Sequence, residues 1–135
     1  MNFKYPKSEK LKSRKTIGLL FTQGKSVAKY PLRLVYMPVD GPEPLQLGVS
    51  VSKKYFKKAV DRNYFKRVLR ETYRLNKHLL TNELTQPYAI MFFYQTKDRL
   101  TFEQINSKTV ALFEKFASDI NKAQHNLNPN SELTS

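Results

Sequence analysis

Between Lys53 and Lys77 the chain carries ten positive side chains: Lys53, Lys54, Lys57, Lys58, Arg62, Lys66, Arg67, Arg70, Arg74 and Lys77. Only two acids, Asp61 and Glu71, stand among them. The chemistry open to such a run is electrostatic, since ammonium and guanidinium groups in a row neutralise closely spaced phosphates. So many like charges repel one another in a lone folded protein, which implies a polyanionic partner, and for a domain of this size that partner is expected to be a nucleic acid. Lys58, Arg62, Lys66, Arg70 and Arg74 advance in steps of four and would form one helical ridge, with Arg67 and Lys77 beside it. Val60, Tyr64, Phe65, Val68 and Leu75 fall on the other side of the wheel and are expected to be the buried face. A merely solvated helix surface mixes signs, because opposite charges four apart stabilise a helix and like charges destabilise it. A ridge of five cations gives up that stability, which favours binding.

Covalent or metal chemistry has little to work with. His78 and His125 are the only histidines, and neither has a carboxylate pattern suggesting a base or a ligand. The acids are scattered, without the spacing that holds a divalent ion. Four glycines are too few and wrongly spaced for a phosphate-cradling loop, and Ser50 and Ser52 have no histidine partner in the sequence. The expected catalytic and metal-ligating sets are both empty. If the chain takes part in catalysis, the reactive groups belong to something else.

The elements that must position the basic run can be read from local signals. Ser13 is placed to cap a short helix through Gln23, with Ile17, Leu20 and Phe21 on its apolar side and Gly24 as its stop. Strands follow at about 26–29 and 32–39, the second with Leu32, Leu34 and Tyr36 on one face. After the turn Asp40-Gly41-Pro42-Glu43-Pro44 comes a third strand, Leu45 to Ser52. The basic helix should begin near Lys57 or Lys58 and fade around Lys77 or His78. The run Tyr88 to Tyr94 is nearly all apolar, as expected of a central strand. Thr101 with Gln104 makes a capping box for a last amphipathic helix that includes Ile105, Leu112, Phe113 and Phe116. The order α-β-β-β-α-β-α predicts an α+β fold, a single-domain α-β sandwich. Its third and fourth strands are joined through a long helix and are expected to be parallel.

Residues 1–12 are expected to be a mobile basic arm, 13–122 the folded domain, and 123–135 a polar, disordered tail. The 135 residues carry 24 Lys+Arg against 11 Asp+Glu, a formal charge of +13, and 40% hydrophobic residues suffice for one core. With no cysteine, no apolar run long enough for a bilayer and no signal-peptide core, the expected compartment is the cytoplasm, away from membranes. Most aromatics, Phe92, Phe93, Phe113 and Phe116 included, sit at core spacing. Phe21 and Tyr36 could equally be core or line a groove that stacks single-stranded bases.

The stretch VSVSKKYFKKAVDRNYFKRVLRE resembles the central motif of the protein subunit of bacterial ribonuclease P, a strand ending in S-K-K followed by A-V and R-N-R-x-x-K-R-x-x-R-E. The matched positions are Ser52, Lys53, Lys54, Ala59, Val60, Arg62, Asn63, Lys66, Arg67, Arg70 and Glu71. KLKSRKTIGLLFTQGKSV is similar to that family's opening helix, and the resemblance spans about residues 10 to 120. Tyr64 stands where the pattern has its second arginine, and Ile17 where an aromatic is usual. The resemblance implies a sandwich with a left-handed β-α-β crossover, contrary to the usual right-handed rule. It also implies a function: assisting a catalytic RNA, which uses magnesium, to remove the 5′ leader of precursor tRNA. The implied RNA-binding set is Lys53, Lys54, Lys57, Lys58, Arg62, Asn63, Lys66, Arg67, Arg70 and Arg74. The implied leader cleft, between the first helix and the sheet, is lined by Ile17, Phe21 and Tyr36. Counting from Gly24 puts Val35 in the last of these positions, whereas the apolar alternation favours Tyr36.

Two other classes share parts of the pattern. A ribosomal-type RNA-binding protein or RNA chaperone would have the same charge and the same α+β order, without the motif. A DNA-binding regulator would need a helix-turn-helix neighbour, and the flanking strands argue against it.

Overall fold

The computed structural model describes residues 5–126. Helix α1 (Arg14–Gln23) is followed by strands β1 (Lys25–Lys29), β2 (Leu32–Pro38) and β3 (Leu45–Val51). Helix α2 (Ala59–Thr81), strand β4 (Tyr88–Tyr94) and helix α3 (Phe102–Asn126) complete the chain. The order is the expected one, and local chemistry accounts for most boundaries. Ser13 accepts a hydrogen bond from the Thr16 amide at 3.2 Å, capping α1. Thr101 and Gln104 cap α3 reciprocally: the Thr101 amide donates to Gln104 Oε1 at 2.9 Å, and the Gln104 amide to Thr101 Oγ1 at 3.2 Å. Gly24 ends α1 with φ −72°, so its backbone needs no glycine. Space explains the residue instead, because a Cβ would lie 2.9 Å from Val35 Cγ1 and closer still to the Leu20 carbonyl oxygen. Helix α2 runs to Thr81, about a turn beyond its expected end.

The sheet order is β1-β2-β4-β3; β4 is antiparallel to β2 and parallel to β3. β4 lacks alternation because both of its faces are covered, Ile90 and Phe92 packing into the core on one side and Ala89 and Met91 into the cluster under α1 on the other. In register, Leu34 pairs with Phe92, and Tyr36 and Leu47 both pair with Ile90. These residues face α2 and α3, and with Phe65, Leu69, Tyr73, Phe113 and Phe116 they form the main core. The opposite face is more thinly covered. There α1 contributes Leu20, which with Leu11, Ala89 and Met91 makes a small cluster rimmed by half-buried Ile17, Val35, Met37 and Phe93.

The segment before α1 departs from the expected mobile arm. The Leu11 amide donates to the Leu47 carbonyl at 3.1 Å, and Lys10 bridges Leu47 in parallel, so residues 10 and 11 run beside the free edge of β3. Glu9 accepts from the Tyr73 hydroxyl at 2.7 Å and from Lys77 Nζ at 3.0 and 3.2 Å. Tyr5 meets Tyr73 edge-on at 5.1 Å and its hydroxyl donates to the Leu47 carbonyl. One acid among many cations finds its partners on α2, a long-range pairing that local composition does not reveal. At the other end, α3 continues to Asn126, into the segment expected to be disordered. The rest of that segment, and residues 1–4, lie outside the described residues.

Candidate nucleic-acid interface

The approach to α2 is a turn in which the Ser52 carbonyl accepts from the Tyr55 and Phe56 amides and Ser52 Oγ from the Lys54 amide. Buried Phe56 stacks on Phe65 at 4.7 Å, and Phe65 on Tyr94 at 4.6 Å, so three rings tie the start of the helix to the central strand. Arg62 closes the turn, donating from Nη1 to the Phe56 and Lys57 carbonyls at 3.0 and 2.7 Å. A residue named for RNA contact is therefore also the clamp that sets Lys57 and Lys58 against the helix.

From this base Lys53, Lys54, Lys57, Lys58, Asn63, Arg67 and Arg70 are exposed, while Lys66 and Arg74 are half-buried. Arg74 is held in a fork by Glu71, with Nη2–Oε1 at 2.5 Å and Nε–Oε2 at 3.1 Å. The same hydrogen bond holds the Glu71 carboxyl below the usual carboxylate range. Arg74 is thus a poorer phosphate ligand than its place in the ridge suggests. Lys77, expected beside the ridge, is buried with Glu9.

The apolar stripe of α2 also differs from the expected one. Phe65, Leu69, Thr72, Tyr73, Asn76 and Leu80 are buried, whereas Val60 is 71% and Tyr64 43% exposed. The buried stripe carries polar residues where α2 meets α3: Asn76 Nδ2 donates to Asn106 Oδ1 and to the Thr72 carbonyl, both at 2.8 Å. These satisfied amides made the true stripe look polar and its neighbour look apolar. One further cation joins the surface from outside the motif. Arg99, between β4 and α3, pairs with Asp61 at 3.1 Å and lies over Phe65 at 5.3 Å and Phe56 at 5.9 Å. Spacing gave no sign of it, because its ion-pair partner Asp61 is 38 residues away in sequence and the rings beneath it are also far from it in the chain.

A groove lies on the other face of the sheet. Phe21 is 63% exposed on α1 and meets Phe93 edge-on at 6.1 Å. Ile17 and Met91, but not Phe21 or Phe93, help to line a cavity of about 350 Å³ whose lining also includes Tyr5, Lys12 and Arg70, so this cavity reaches the basic helix. Gly48 keeps its floor low, since a Cβ there would sit 2.7 Å from Met91 Sδ. Tyr36 does not belong to this groove. Its ring points to the α3 side, 4.8 Å from Phe116, and is buried. Alternation correctly grouped Tyr36 with Leu32 and Leu34, and that grouping puts it in the main core. Val35, the neighbour favoured by counting from Gly24, is on the α1 face. Phe93, expected in the core, is half-buried on this face beside Phe21. Among the described residues, no three or more His, Cys, Asp or Glu side chains gather as metal ligands, and no helix is long and apolar enough to cross a membrane.

Residues 5–117 match the family model for ribonuclease P. The ribonuclease P protein component of Porphyromonas gingivalis is 44% identical over 102 residues, covering 73% of this chain and 74% of that protein. That of Dictyoglomus thermophilum is 30% identical over 113 residues, covering 84% and 92%. Among solved structures, the RNase P protein of Thermotoga maritima superposes with a TM-score of 0.65 at 27% identity, covering 79% of this chain and 96% of that one. The Staphylococcus aureus RNase P protein shares the fold with a TM-score of 0.67 at 24% identity, covering 80% and 94%. The chain belongs to the ribonuclease P protein family.

Proposed function

We propose that this protein is the RNA-binding subunit of the ribonucleoprotein endoribonuclease ribonuclease P, with the hydrolytic chemistry carried by the catalytic RNA. The observation that carries the proposal is the surface formed by the approach to α2 and its outer face, where Lys53, Lys54, Lys57, Lys58, Arg67 and Arg70 are all exposed. Neutralising phosphates there lowers the repulsion between catalytic RNA and precursor tRNA where they meet. Magnesium, held mainly by the RNA, then fills its sites at lower concentration. Asn63, exposed within the same surface, offers a donor and an acceptor to 2′-hydroxyls or base edges. The groove between α1 and the sheet takes the single-stranded 5′ leader, with Phe21 and Phe93 as its stacking surface and Ile17 on its apolar wall. A ribosomal-type binding protein or chaperone would share the basic helix, but the family membership speaks for the ribonuclease.

Reconstitution tests the proposal. Purified protein added to a bacterial ribonuclease P RNA at low magnesium should restore cleavage of precursor tRNA, while the protein alone should cut nothing. Metal-dependent cleavage by rigorously RNA-free protein, or no stimulation of the RNA at any magnesium concentration, would overturn it.

A further inference from the structure

Tyr30, Phe21, Val60 and Tyr64 are the large hydrophobic side chains left exposed in the described residues. The last two are four apart on α2 and so lie side by side, within a surface that is otherwise charged. Leaving apolar area in water on a helix with a fully buried face on its other side is a cost without structural return. The pair also has a defined setting. The Tyr64 ring stands edge-on to Phe65 at 4.9 Å and 88°, and Phe65 is itself fixed in the three-ring stack. Arg99 lies 6.0 Å from the Tyr64 ring centre, held by Asp61, with its side chain 57% exposed. Asn63 and Arg67 are exposed at adjoining positions of the helix.

We propose that Tyr64 and Val60 form a platform on which an unpaired RNA base stacks, with Arg99 and Arg67 taking the flanking phosphates. A nucleotide is the ligand that presents a flat π-face and a negative charge within a few ångströms, as this patch requires. An acidic protein surface would satisfy the cations but leave the ring and Val60 without a flat partner. The platform rests on the RNA-binding reading above and adds to it a contact that is not a phosphate contact. Its energy is therefore insensitive to salt, whereas each neutralised phosphate adds about 0.7–0.9 to the salt slope.

The experiment measures binding of Tyr64→Ala, Tyr64→Phe, Val60→Ala and Arg67→Ala proteins to two RNAs across a salt series. One is a ribonuclease P RNA transcript and the other a continuous RNA duplex of equal length, which offers no unpaired base. Tyr64→Ala should weaken transcript binding roughly 5- to 150-fold, the span of one base-aromatic stack. Its salt slope and its duplex affinity should stay as in the parent protein. Tyr64→Phe should bind like the parent, because the ring does the stacking. Arg67→Ala should weaken both RNAs and flatten the slope by about one contact. Melting temperatures monitor folding; if Tyr64→Ala melts the domain, Val60→Ala decides, since its side chain is largely in water. Unchanged transcript affinity of the folded Tyr64→Ala protein, or equal losses on transcript and duplex, would overturn the platform and leave the patch to a protein partner. In that case a loss in Arg67→Ala would still sustain RNA binding by the helix, and no loss in any variant would remove both.

Discussion

Replacing Phe21 with alanine separates a leader-binding side chain from a core side chain, and the structure sets the size of each effect. A fully buried phenylalanine truncated to alanine costs about 3–5 kcal/mol of folding stability. Phe21 is 63% exposed, so little more than a third of it is buried. Scaled accordingly, the loss is about 1–2 kcal/mol, including its single edge contact with Phe93. For a domain of this length that corresponds to a fall in melting temperature of roughly 4–8 °C, leaving the protein folded at 25 °C. Loss of one base-aromatic stack costs about 1–3 kcal/mol of binding, a five- to hundredfold change or somewhat more. The assay is binding of precursor tRNA and mature tRNA to the reconstituted ribonucleoprotein, with thermal unfolding of the free protein alongside. Precursor affinity should fall while mature tRNA, which has no leader, binds as before. Equal losses for the two tRNAs would refute the groove assignment, and a drop in melting temperature well beyond 10 °C would return Phe21 to a packing role.

The docked segment before α1 makes a second prediction. Glu9 and Lys77 are only 13% and 11% exposed at their side chains, so Glu9→Gln should cost about 3 kcal/mol, at the low end for breaking a buried pair. Chemical denaturation and faster exchange of the Leu11 amide would register it; a loss below about 1 kcal/mol with Leu11 still protected would contradict it. Alkaline pH should act on the same region. Burial pushes the Tyr5 hydroxyl up to about 12 from an unfolded value of 10.0, and burial with the Glu9 hydrogen bond raises Tyr73 as well. Above pH 10 the folded state then holds more protons than the unfolded one. The stabilisation is complete below about pH 10 and is lost as the pH climbs through about 12. Tyr5→Phe should lose less stability over that interval than the parent protein, as read by denaturation at pH 9 and 11; an equal loss would show that Tyr5 does not contribute.

Features carried by neighbours in sequence were legible, and features carried by distant contacts were not. Ser13, the Thr101–Gln104 box and the apolar run of β4 act within a turn or a strand, and each element lies where they indicate. The cations before and along α2 were legible as residue types, but not their partners: Lys77 turns inward to Glu9, Arg74 is held by Glu71, and Arg62 is engaged by the Phe56 and Lys57 carbonyls. Tyr36 was misplaced although its strand was right. Alternation shows which residues share a face but not which face meets α1, and an extended strand sends Val35 and Tyr36 to opposite sides. Val60 and Tyr64 were drawn into the buried stripe by hydrophobicity, while Thr72 and Asn76 were passed over as polar: the Thr72 hydroxyl is satisfied by the Leu69 carbonyl of its own helix, and Asn76 meets Asn106 only with α3 in place. Arg99 pairs with Asp61 38 residues away, and Glu9 with partners 64 or more residues away, beyond any local pattern.

The central claim is that the exposed cations before and along α2 bind RNA phosphates, and the salt dependence of binding tests it most directly. Six of them, Lys53, Lys54, Lys57, Lys58, Arg67 and Arg70, are exposed. Six phosphate contacts give a log-log slope on the order of −4 to −5 for binding to a ribonuclease P RNA. Replacing Lys57, Lys58, Arg67 and Arg70 together with alanine should flatten that slope by roughly 3 and weaken binding steeply at low salt, with the melting temperature nearly unchanged. A folded quadruple variant that kept both the parent's affinity and its slope would show that this surface is only solvated.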